Sequence, residues 1–292
     1  MDKGYLILAV GDEYITQACL CAMSIKCTQQ ISNVSLVTDT AVPKKYKKLF
    51  DKIIDVPWVE EQRYAIDHRW KLYHVSPYEQ TVVLDSDMLF VTDVSHYWRL
   101  LENYDLYFTN QVETYRDQKV TSNYYREAFI VNSLPNVYFG YHYFKKSELA
   151  LEFYKMLELI TNNWELFYGK FVPKKYPKQP SMDITASIAV KILGIEEKVT
   201  NHKINIPTFT HLKSKAQNWR QESFNWQDRV PYAVTDNLDF YIGNFRQNGI
   251  LHYTENHFVT NDLIEKYERV TDVSWLYTAN VCKFLYVYWR YR

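Results

Sequence analysis

The chain opens with an apolar run, YLILAV (5–10), that breaks at Gly11-Asp12. A run this short, bounded by a turn residue, predicts a buried β-strand. TQACLCAMSIK then sets its apolar residues at helical spacing and predicts a helix over 16–27. VSLVTD (34–39) predicts a second strand, PKKYKKLFD a short basic helix opened by Pro43, and KIIDVPW a third strand. RWKLYHVS predicts a helix, and TVVL (81–84) the strand behind it. Strands alternating with helices in this way predict an α/β fold with a mostly parallel sheet.

Past Val94 the pattern loosens. DLYFTN (105–110) and NVYFGYHYF (136–144) predict strands, and LALEFYKMLELITNNW (149–164) an amphipathic helix. A basic, Pro-rich loop, YGKFVPKKYPKQP (168–180), separates it from a helix over 181–193, with Ser181 as N-cap and Asp183 in the first turn. GILHYT (249–254) predicts a late strand, and two helical patterns close the chain. The last of these, at 283–292, holds seven apolar or aromatic residues among Lys283, Arg290 and Arg292. It reads as a C-terminal extension docked on the protein, or as a surface for acceptor or membrane. No internal repeat or flexible linker divides the chain.

Composition changes this picture little. The 34 basic and 34 acidic side chains cancel, so no bulk field argues for a nucleic-acid partner. Aromatic residues are abundant, 26 Tyr, 15 Phe and 8 Trp against 7 Gly. AT-rich codons account for such a bias, and so does stacking on sugars or bases. The cysteines at 19, 21, 27 and 282 show neither zinc spacing nor a disulfide framework, which suits reduced core thiols. The first apolar run is too short for a signal peptide core, and no run of about 18 apolar residues occurs. The expectation is a cytoplasmic protein, soluble or peripherally membrane-associated.

Chemistry is concentrated at TVVLDSDMLFVTDV (81–94), where Asp85-Ser86-Asp87 lies between two apolar runs. Like charges this close repel and cost solvation energy when buried unpaired. In a strand, residues two apart face the same side, so both carboxylates can converge on one ion. Hard oxygen ligands suit magnesium or manganese, which keep positions open for substrate phosphates. The competing reading is a solvated turn between two strands.

The order of these segments resembles the glycogenin-like family 8 glycosyltransferases. LILAVGDEYITQACLCAMSIK is similar to the family's strand, turn, tyrosine and helix; RWKLYH to its lysine helix; NVYFGYHYFKKS to its sugar-pocket strand; SMDITASIAV to its Asp-containing helix start; and GILHYT to its histidine strand. The resemblance covers roughly residues 4–255. It implies the GT-A fold, a Rossmann-like, mostly parallel α/β sheet flanked by helices, as a catalytic domain over 1–255 with a helical extension over 256–292. It also implies a nucleotide-sugar site formed by Ala9, Gly11, Asp12, Tyr14, Lys71, Asp85, Ser86 and Gly140, with Tyr14 stacked on uracil. Asp85, Asp87 and His252 would hold manganese or magnesium, Lys71 would lie by the donor phosphate, and Asp183 by the reacting sugar.

The pattern departs from the family after His252, where the expected Gly and Lys of a phosphate cradle are absent. THLKSK offers Lys213 and Lys215 as substitutes and His211 as a rival ligand. Tyr138-Phe139 replaces the family's Asn-Ser before the sugar-pocket glycine. The implied reaction is transfer of a sugar from a nucleoside diphosphate, UDP favoured, to an acceptor hydroxyl with retention. Glycan, lipid-linked sugar, protein and modified nucleic-acid base all stay open as acceptors. The rival functions are a non-catalytic nucleotide or sugar binder on the same fold and an aspartate-nucleophile phosphatase.

Overall fold

The computed structural model describes residues 2–58, 65–121, 125–204, 206–219, 229–255 and 258–271; the tail at 283–292 lies outside them. The predicted alternation appears as β1 (Lys3–Ala9), α1 (Asp12–Thr28), β2 (Val34–Thr38), β3 (Lys52–Asp55), α2 (Leu72–Val75) and β4 (Gln80–Asp85). The basic segment after Pro43 is a 3-10 helix, Lys44–Leu49, and a second one, Ala65–Lys71, runs directly into α2. Beyond β4 come β5 (Met88–Phe90), α3 (Tyr97–Leu101), β6 (Leu106–Thr109), α4 (Glu127–Val131) and β7 (Tyr138–Lys145).

The main sheet has the order β3-β2-β1-β4-β7-β6, with the first four strands parallel and β7 antiparallel to both its neighbours. Strand alternation divides its side chains between two cores. Tyr5, Ile7, Val82 and Leu84 face α1, while Leu6, Leu8, Val83 and Phe108 face the other side. That second face is covered by α5 (Glu148–Asn162) and α7 (Met182–Leu193), with α6 (Trp164–Phe171) between them in sequence. Burial on both faces explains why β1, β2 and β4 read as continuous apolar runs.

Two boundaries differ from expectation. α1 starts at Asp12, four residues early, because Gly11 takes a left-handed φ of 97° and turns the chain straight from β1 into the helix. The long helix expected over 149–164 stops at Asn162 and resumes at Trp164, since Asn163 leaves helical geometry with φ −130°.

The C-terminal third adds α8 (Glu196–Val199), β8 (Thr210–His211), β9 (Tyr232–Val234), β10 (Phe240–Ile242), β11 (Phe245–Arg246), β12 (Ile250–His252) and α9 (Asn261–Thr271). β9–β11 form a small antiparallel sheet in a stretch whose sequence pattern predicts no element. β5, β12 and β8 form a third sheet, and its pairing positions the site. α9 closes back on the protein, where Lys45 pairs with Glu268 at 2.7 Å and Lys266 donates to the Val234 carbonyl at 2.6 Å.

Candidate active site

Parallel strands end at one edge of a sheet, and ligands in such folds bind outside the carboxyl ends. β4 delivers Asp85 there, opposite Leu8 of β1. The chain then turns through Ser86-Asp87 and leaves the main sheet as β5, which pairs antiparallel with β12 so that Met88 faces His252. The Tyr253 N–H donates to the Asp87 carbonyl at 3.1 Å and locks that register. His252 is thereby set over both carboxylates, with Nε2 3.1 Å from Asp87 Oδ1 and 3.7 Å from Asp85 Oδ2.

One ligand atom from each of Asp85, Asp87 and His252 lies within 4.8 Å of the others. Two carboxylate oxygens and an imidazole nitrogen at this spacing fit one divalent cation. Gly140 makes room for them: a Cβ there would lie 2.6 Å from Asp85 Oδ2 and 3.4 Å from His252 Cε1.

The repulsion between the two aspartates is compensated by nearby cations. Arg69 Nη1 is ion-paired with Asp85 Oδ1. Burial pushes the Asp87 carboxyl up, but the His252 imidazole outweighs it and holds the pKa below the usual range. For His252, burial pulls down and Asp87 outweighs it, so its pKa is raised. His211 stacks on His252, ring centroids 4.6 Å apart and planes within 9°. Burial, with the His252 and Lys213 charges behind it, holds His211 well below its ordinary value, so it sits neutral.

A cavity of about 180 Å³ opens beside the carboxylates, lined by Leu8, Val10, Tyr14, Arg69, Asp85, Ser86 and Asp87. Tyr14, Asp85, Ser86 and Asp87, expected at the site, therefore come together around one space. Gly11 lies outside that lining, in the turn between β1 and α1, its N–H donating to Asp39 Oδ1 at 2.9 Å. Asp12 is exposed in the first turn of α1. Ser86 turns its hydroxyl to Gln17 Oε1 at 3.3 Å. The Ala9 side chain faces the core with Tyr5 and Ile7, so only its backbone borders this edge.

Lys71, expected by the donor phosphate, is engaged with the backbone of its own region. It is 1% exposed, and its Nζ donates to the Pro57 and Trp58 carbonyls, both at 2.9 Å. The cation that reaches the carboxylates from this segment is Arg69. Asp183 likewise has firm partners: Oδ2 pairs with Arg126 Nη1 at 2.6 Å and Oδ1 accepts the Phe139 N–H at 2.8 Å. Burial pushes the Asp183 carboxyl up, but Arg126 and the Phe139 N–H more than offset it. Arg126 is itself held between Phe129 and Tyr138, 3.6 and 4.2 Å from the ring centroids. Lys213, exposed just after β8, acts electrostatically on both Asp183 and His252.

Sequence reasoning missed Arg69, Arg126 and Asp39. Arg126 stands in no motif, and Arg69 is a lone basic residue beside the more conspicuous Lys71. Asp39 could have been found, because an acidic residue ending a parallel strand lies on the ligand-binding edge.

No protein-family profile and no curated protein sequence matches the chain. Solved structures do. Mouse xyloside xylosyltransferase 1, in its apo form, superposes with a TM-score of 0.51 at 14% identity, over 89% of this chain and 100% of that one. The apo structure of the bifunctional glycosyltransferase WbbM gives 0.50 at 11% identity, over 94% and 50%. The apo form of the glycosyltransferase GlyE from Streptococcus pneumoniae TIGR4 gives 0.45 at 14% identity, over 92% and 60%. The chain thus spans about half to three-fifths of the length of WbbM and GlyE. At these identities the likeness concerns the fold, and the mostly parallel sheet flanked by helices is the GT-A architecture of glycosyltransferases.

Proposed function

We propose that this protein is a divalent-metal-dependent glycosyltransferase that moves a sugar from a nucleoside diphosphate, UDP favoured, to a hydroxyl of a sugar acceptor with retention of anomeric configuration. The observation that carries the reading is the Asp85–Asp87–His252 cluster beside the cavity that Tyr14 lines, on a GT-A fold.

Asp85, Asp87 and His252 would hold manganese or magnesium, and a bound divalent ion supplies charge neutralisation for the departing diphosphate. The chain's own residues do the rest. Tyr14 offers its ring to the base, at the turn where Gly11 brings the backbone close. Arg69 pairs with the Asp85 carboxylate and fixes its orientation. The cationic help expected of Lys71 falls in this arrangement to Arg69 and Lys213, whose fixed charges favour a developing phosphate anion. Asp183 stays ionised, and with 27% of its side chain open its charge can act on an oxocarbenium-like carbon. Retention follows from the family resemblance alone and is read from the anomer formed.

The test is incubation with a panel of nucleotide-sugars, with manganese or magnesium and with excess chelator. Metal-dependent hydrolysis of one donor supports the proposal; neither hydrolysis nor thermal stabilisation by any donor overturns it. The absent Gly and Lys after His252 favour the second reading, a non-catalytic nucleotide-sugar binder, which would be stabilised without turnover. A phosphatase needs a carboxylate free to attack, and the ion pair of Asp85 with Arg69 argues against it. Among the described residues no helix is long and apolar enough to cross a membrane.

A further inference from the structure

An indole pair lies at the same carboxyl edge, outside the metal cluster and the cavity. Trp58, three residues beyond β3, stacks on Trp70 with ring centroids 5.6 Å apart and planes within 3°. His74 meets both rings edge-on, at 5.7 Å from Trp58 and 6.2 Å from Trp70. Trp70 is anchored against the core that covers the second face of the sheet, whereas Trp58 leaves 55% of its surface in solvent.

This exposure is built. Trp58 has φ 48°, a left-handed backbone conformation that bulky L-residues rarely adopt. The buried Lys71 ammonium donates to the carbonyls of Pro57 and Trp58, and also lies 5.7 Å from the Trp70 ring centroid. A buried cation and a strained residue together hold an indole out to water, although a large apolar ring gains most by burial. Such strain persists where surrounding structure over-determines it, and it concentrates at ligand clamps. The pair is also contiguous with the candidate site. Trp70 directly follows Arg69, whose guanidinium pairs with Asp85, so the platform is joined to the carboxylates through a single neighbouring residue.

We propose that the Trp58–Trp70 pair is a carbohydrate platform, on which a pyranose ring of an extended acceptor glycan lays its C–H face. A flat indole backed by a second parallel ring matches the apolar face of a sugar and leaves the hydroxyls in water. On this assignment Lys71 is a positioning residue for the acceptor. The assignment of the ligand as acceptor rests on the glycosyltransferase reading; binding of the saccharide does not.

The experiment titrates the whole chain, in chelator and without nucleotide, with neutral hexasaccharides of glucose, xylose and N-acetylglucosamine, followed by isothermal calorimetry and saturation-transfer NMR. The wild type is expected to bind at least one. Trp58→Ala should weaken that binding at least tenfold with the melting temperature unchanged, and Trp58→Tyr should stay within about threefold of wild type. No binding by the wild type, or equal binding by Trp58→Ala, overturns the platform. Donor hydrolysis is measured on the same proteins and should be unaffected by Trp58→Ala. A wild type that binds the hexasaccharide yet hydrolyses no donor removes the glycosyltransferase reading and leaves the platform standing.

Discussion

Gly140 and Asp85 approach each other across neighbouring antiparallel strands so closely that a Cβ on residue 140 would lie 2.6 Å from the Asp85 carboxylate. The glycine is needed for space, since any side chain would have to displace a ligand oxygen. Gly140→Ala should therefore weaken manganese binding at least tenfold in calorimetry while the secondary structure seen by circular dichroism is kept. Unchanged manganese affinity would show that Asp85 does not ligate from this position.

Asp87→Asn removes a carboxylate from the cluster and leaves His252 without its main counter-charge. The expected result is loss of metal-dependent donor hydrolysis in a folded protein, and excess chelator should give the wild type the same phenotype. Full wild-type turnover in chelator would remove the metal from the mechanism.

Tyr14 lines the cavity beside the aspartates and is only partly buried, so its ring is available to a base. Tyr14→Ala should weaken donor binding by roughly 1–2 kcal/mol. A tyrosine that serves only packing would instead lower the melting temperature with donor affinity unchanged. Both quantities are measured on the one variant.

Lys71 separates two roles. If it acts on the donor phosphate, Lys71→Met impairs turnover without much effect on stability. Its hydrogen bonds to Pro57 and Trp58 lead us to expect the reverse. Leaving two carbonyls short of a charged donor should lower stability by about 1–3 kcal/mol in urea denaturation. Manganese affinity should be unaltered.

His142 contributes to the acid limb of stability, alongside the buried His211 and the paired aspartates. Its Nδ1–H donates to the Phe139 carbonyl at 2.7 Å, so Nε2 accepts the Tyr154 hydroxyl proton, also at 2.7 Å. Burial, reinforced by the Arg69 charge, pulls its pKa from 6.5 down to about 3 against the opposing Phe139 bond. Between those values the unfolded chain binds a proton that the folded chain refuses. Stability attributable to this group is thus complete above pH 6.5 and falls by about 1.4 kcal/mol per pH unit as the pH drops toward 3. His142→Gln should flatten that slope in denaturation measured from pH 7 to pH 4. Parallel slopes for variant and wild type would contradict it.

Much of the architecture was legible in the chain. Parallel strands buried on both faces produce apolar runs, and helices packed on them produce 3.6-residue spacing, so β1, β2, β4 and α7 announce themselves locally. The i, i+2 spacing likewise flags Asp85 and Asp87 as a pair, although in the structure Asp87 lies in the turn after β4 and is held there by the Tyr253 N–H. The short strands β9–β11 carry no such signal, because two or three residues hold too little periodicity.

By itself, then, the sequence determined the alternating α/β order, the carboxylate pair where a strand ends and the tyrosine beyond the first turn, all of them readable from short local patterns. The tertiary structure decided which distant side chains meet there. Antiparallel pairing of β5 with β12 brings His252 to Asp87 across 164 intervening positions, and no local pattern encodes that register. It also decided between neighbours on one short helix. Arg69 and Lys71 look alike in the chain, yet the helix turns the guanidinium to Asp85 and buries the ammonium under Trp58, because residues two apart on a helix face different ways.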